Sequence, residues 1–140
     1  MLESRDEVVR VVQQRVQKAE NDLPTATHTL MLSAMCPTDT VCFHAQQCVE
    51  KHLKALLVWH DVDFHWIHDL GTLLELLPPQ IRPDFAPEDQ ARLTDYATIT
   101  RYPGDYDAIP LFEAEHAVAV ARRVRDQVRQ RLPRETLLEG

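Results

Sequence analysis

Residues 41–59 carry apolar side chains around most of a helical circumference, and no other stretch constrains the fold as tightly. At 3.6 residues per turn, Val41, Ala45, Cys48, Val49, His52, Leu56 and Trp59 fall on one broad stripe. Phe43, Leu57 and Val58 lie on other sides, and Gln46, Gln47, Glu50, Lys51 and Lys54 fill the remainder. A single partner surface cannot cover such a helix. It must stand at the centre of a bundle or be shared with a second subunit.

The rest of the chain supplies partners for it. Helical periodicity runs throughout, and β-branched residues never alternate cleanly with polar ones. A first helix starts at the capping pattern Ser4–Glu7 and carries Val8, Val12, Val16, Ala19 and Leu23. Pro24 has no amide hydrogen and is expected to kink or interrupt it, with a fainter pattern resuming through Leu30 and Ala34 to Pro37. Thr38 and Asp39 are candidate caps for the second helix, about 39–60. A short third helix is expected at about 69–77, a fourth at about 88–100 and a fifth from about Pro110 to Leu132. The expected fold is all-α, a single domain over residues 1–140: an up-down four-helix bundle with an additional short helix.

Composition narrows the function. A chain of 140 residues buries about 68% of its unfolded surface and needs no disulfide or metal to fold. The three cysteines include no CxxC pair, which favours reduced thiols. There is no membrane-length apolar run, and the acidic start "MLESRDEVV" is unlike a signal peptide, so a cytoplasmic location is expected. A net charge of −7 argues against a general grip on nucleic acid but leaves room for a local basic face. "RRVRDQVRQRLPR", residues 122–134, is such a face: Arg122, Arg125 and Arg129 lie together, either complementing the helix dipole or meeting a phosphate-bearing partner.

His44, Cys48 and His52 recur every fourth residue, which invites a metal reading. They drift around the helix, however, and no second ligand cluster accompanies them, so packed or hydrogen-bonded core residues and no metal are expected. His44, Gln47 and Lys51 share a face suited to a phosphate or a partner carboxylate, or simply to solvent. His68 either caps the third helix or bonds across a loop.

"FHAQQCVEKHLKALL", residues 43–57, resembles the "FHAQQAVEKALKALL" signature of HEPN domains. "KAENDL" (18–23), "HDL" (68–70) and "TRYPG" (100–104) follow the order of that family, and the likeness spans about residues 5–132. The resemblance implies a bundle that is commonly a homodimer. It also implies a partner, a minimal nucleotidyltransferase encoded alongside in a toxin–antitoxin pair, and a nucleotide such as ATP as ligand rather than a resident cofactor. His44, Gln47, Lys51, His68 and Tyr102 are the nucleotide- or partner-binding candidates.

Many relatives are metal-independent ribonucleases with an Arg-x(4–6)-His motif. Arg101 matches the arginine, but Tyr106 stands where a histidine is expected, between Asp105 and Asp107. Tyrosine, with a reference pKa near 10, is a poor base at neutrality, and two acids repel phosphate. The resemblance therefore favours a dimeric binding module, with a ribonuclease using Arg101 and Tyr106 as the alternative and a plain scaffold as the third reading. In related systems the partner transfers AMP to a tyrosine beside the arginine motif, which makes Tyr102 and Tyr106 candidates for modification.

Overall fold

The computed structural model describes residues 4–99 and 107–137. Among them the chain forms five α-helices and no strand: α1 (Arg5–Leu30), α2 (Thr38–Trp59), α3 (Leu70–Leu76), α4 (Pro87–Ile99) and α5 (Leu111–Arg131). Short 3₁₀ turns at Ser33–Met35, Pro79–Ile81 and Arg134–Thr136 punctuate the connections.

Local chemistry explains most boundaries. Ser4 caps α1 by accepting from the Glu7 amide at 3.1 Å. Asp69 caps α3 through the Thr72 amide at 2.8 Å, so the cap is Asp69 and His68 is directed elsewhere. Pro37 occupies the N-cap of α2, contrary to the expectation for Thr38 and Asp39. Thr38 is instead the first helical residue, and its hydroxyl donates to the Ile109 carbonyl at 2.7 Å, tying the start of α2 to the approach to α5. Asp39 accepts from the neighbouring Thr40 amide.

Pro24 does not interrupt α1, which runs unbroken for 26 residues. An interior proline costs a helix about 3 kcal/mol. Against that, Val12, Val16, Ala19, Leu23 and Ala26 are all buried, on both sides of the proline, and each large apolar side chain returns about 1.5–3 kcal/mol. Packing against α2 therefore outweighs one missing hydrogen bond. Thr25, Thr27 and Thr29 turn their hydroxyls back to carbonyls four residues earlier, so these side chains add bonds to the same turns.

The bundle is up-down. Thr27 meets Arg122 while Glu20 meets Arg125 and Arg129, so α1 and α5 run antiparallel. Asp89 meets His116 and Arg92 meets Glu113, giving the same relation for α4 and α5. α2 packs against α1, α3, α4 and α5, as its all-round apolar surface requires. Val41, Ala45, Cys48, Val49, His52, Leu53, Leu56 and Leu57 on it are fully buried, and Trp59 at its end is partly covered. No described helix is long and apolar enough to cross a membrane.

Candidate functional site

Two polar networks run along α2. In the first, Asp22 of α1 sits almost wholly buried, and its two carboxylate oxygens face two side chains of α2. His44 Nδ1 lies 2.9 Å from Oδ1 and Lys51 Nζ 2.8 Å from Oδ2. The carboxylate can only accept, so His44 donates from Nδ1 and keeps Nε2 for another partner. Both α2 side chains are partly exposed, so Asp22 orients a half-exposed imidazole beside a half-exposed ammonium.

The second network is a chain. Gln47 Nε2 donates to Gln46 Oε1 at 2.6 Å, and Gln46 Nε2 donates to Glu50 Oε1 at 2.7 Å. Glu50 Oε2 then receives Lys54 Nζ at 2.9 Å and His68 Nδ1 at 3.0 Å. Burial alone would raise the Glu50 carboxyl; the bonds from His68, Lys54 and Gln46 overcome it and hold the group below its ordinary value. Gln46 and Glu50 are buried although a helical projection places them on the polar side. The loop between α2 and α3 reaches this network: His68 meets Glu50, and Lys54 lies 5.5 Å from the Phe64 ring centroid.

The structure thus brings His44 and Lys51 together on Asp22, and connects Gln47 to His68 through Gln46 and Glu50. Arg101, Tyr102 and Tyr106 lie outside the described residues. The flanks of their segment are anchored. On α4, Tyr96 donates to Glu113 Oε2 at 2.5 Å and Arg92 reaches the same oxygen at 2.6 Å. Burial and this carboxylate push the Tyr96 hydroxyl far above its ordinary value, which leaves it a hydrogen-bond donor.

Asp22 is the site residue that the sequence patterns do not single out. Ala19, Asp22, Leu23 and Ala26 follow the i, i+3, i+4, i+7 pattern, so the spacing that identifies the apolar stripe also places a carboxylate on it. A buried carboxylate needs a cation, and His44 and Lys51 are the pair that supplies it.

His52 is fully buried, and its Nδ1 donates to the Cys48 carbonyl one turn back at 2.8 Å. Burial pushes the Cys48 thiol far above its ordinary value. Among the described residues no three His, Cys, Asp or Glu side chains are grouped to hold a metal ion.

This architecture, an antiparallel helical bundle around a central helix with an internally bonded polar edge, defines an all-α bundle class. The HEPN domain model matches residues 12–131, and the chain belongs to the HEPN family. The crystal structure of TT1696 from Thermus thermophilus is similar at a TM-score of 0.71 and 28% identity, covering 86% of this chain and 98% of that one. ST0689, described as an archaeal HEPN homologue, is similar at a TM-score of 0.66 and 25% identity, covering 86% of this chain and 96% of that one. No curated protein matches the chain.

Proposed function

We propose that this chain is the HEPN subunit of a two-component, toxin–antitoxin-type pair with a minimal nucleotidyltransferase. It acts in the cytoplasm as a single-domain, dimeric binding module. The observation that carries the reading is an apolar surface at one end of the bundle. Met31, Leu32 and Met35 follow α1, and Leu111 and Phe112 open α5; all five are exposed, Met35 at 83% and Phe112 at 72%. The Thr38–Ile109 bond brings these two regions to the same end, beside the flanks of the Arg101 segment. Five large apolar side chains left to water on one end are the mark of an association surface.

On this reading His44, Gln47, Lys51, His68 and Tyr102 serve a nucleotide such as ATP or the partner protein, with no metal or resident cofactor. Tyr102 and Tyr106 are the candidate acceptors for AMP from the partner. The test is co-purification with a nucleotidyltransferase encoded beside it, together with ATP-dependent thermal stabilisation and intact mass after incubation with partner and ATP. A protein that neither binds the partner nor shifts with ATP contradicts the proposal. Growth arrest on expression, abolished by Arg101→Ala, would establish the ribonuclease alternative in its place.

A further inference from the structure

Pro24 lies against a hollow of about 290 Å³ between α1 and α5, lined chiefly by Glu20, Pro24, Thr27, His28, Arg122 and Arg125. We propose that this hollow binds a phosphate monoester through Arg122 and Arg125, a site separate from the α2 networks and independent of the function proposed above.

The α1 side of the hollow follows from helix geometry. Glu20, Pro24, Thr27 and His28 lie at spacings of three and four on one face. The α1 amides at that turn are engaged in the helix ladder or, at Pro24, absent, so the guanidiniums of α5 are the charged donors that face the hollow.

The charges do not balance within the hollow. Glu20 accepts Arg125 Nε at 3.1 Å and Arg129 Nη1 at 2.8 Å, and Arg125 Nη1 donates to Asp126 at 2.7 Å. Of the residues that line the hollow, two guanidiniums, Arg122 and Arg125, face one carboxylate, Glu20, which Arg129 also reaches from outside it. Arg122 is the surplus. Its one hydrogen bond among the described residues is from Nη2 to the Thr27 hydroxyl at 3.3 Å. Arg125 Nη2 is likewise left over after its other nitrogens are used.

A second observation points the same way. Behind Glu20 stands the fully buried His52, whose Nε2 has no hydrogen-bond partner and lies 3.4 Å from Glu20 Oε1. Glu20 is thus approached from three sides by Arg125, Arg129 and His52, and the two guanidiniums alone outnumber its single negative charge. An anion entering the hollow meets free guanidinium N–H groups. A planar guanidinium fork matches two phosphate oxygens at once. The volume is at the lower bound for a pocket that takes a whole drug-sized molecule, so it suits the anionic group itself, with the esterified remainder outside.

Titration calorimetry of the full chain with inorganic phosphate, AMP and adenosine tests this. The expected result is saturable binding of phosphate and AMP, with adenosine at least about tenfold weaker. Arg122→Gln should weaken phosphate and AMP by about tenfold or more with an unchanged melting temperature, since Arg122 is exposed and makes one long bond. Arg123→Gln, the same charge change one residue along α5, should leave both affinities within about twofold. Absence of saturable phosphate binding overturns the site. Equal losses in the two variants would reduce it to diffuse attraction and overturn it as well. AMP binding that survives Arg122→Gln overturns it too, and leaves the α2 networks as the place that holds the nucleotide.

Discussion

Glu20 shows how a single side chain joins two helices. Burial works to raise its carboxyl, but the neighbouring His52 imidazole and then the Arg125 guanidinium prevail and bring it from about 4.5 down to about 2. A depressed carboxylate stabilises the fold fully above its unfolded value, and that contribution is lost as pH falls toward the folded value. Urea midpoints of wild type and Glu20→Gln should therefore differ most above pH 4.5 and converge between pH 4.5 and 2. A difference independent of pH would contradict the assignment. Asp22 makes a sharper structural prediction. Asp22→Ala removes the shared partner of His44 and Lys51 and should cost about 1–3 kcal/mol in urea unfolding. Lys51→Ala on top of it should add almost nothing, because the interaction is already gone. A fully additive double variant would show that the contact carries no energy.

Helices are legible in the sequence because their determinants are local. The Ser4 cap, the Pro-Pro stop after α3 and the acidic opening of α4 all lie within a few residues of the boundaries they set. Periodicity alone places α2 at the centre, since no other position buries apolar side chains on nearly every side. What escapes is decided at long range. The local rule sees a missing amide at Pro24 and expects a break, whereas the outcome depends on what α1 packs against. Gln46 and Glu50 project toward solvent on a helical wheel yet are buried; His68 meets Glu50 from the loop after α2, and no periodicity encodes where that loop lies. The candidate site is legible in part for the same reason: His44 and Lys51 are visible as a pair on one helix, and Asp22 belongs to another. Pro24→Ala should restore an amide to α1 and raise unfolding free energy by about 1–3 kcal/mol. If it destabilises the protein instead, the proline shapes α1 in a way that its packing requires.

At the scale of the whole molecule, the described helices close around one apolar core, and what they leave open is unevenly distributed. Among the described residues, Trp66, 85% exposed, stands on the loop between α2 and α3, while the other five exposed large apolar residues lie where α1 ends and α5 begins. On the proposed reading, that uneven surface is the face through which two copies meet. An isologous contact through such a patch is self-complementary and closes as a dimer. The two substitutions Met35→Glu and Phe112→Glu place charge in the patch without touching the core, since both side chains are exposed. They should leave the far-ultraviolet circular dichroism and melting behaviour of the subunit intact. The most direct measurement is the molar mass in solution by sedimentation equilibrium, for wild type and for the Met35→Glu/Phe112→Glu variant. The account predicts twice the chain mass for wild type and the single-chain mass for the variant; a wild-type monomer, or a dimer that the two charges leave intact, would contradict it.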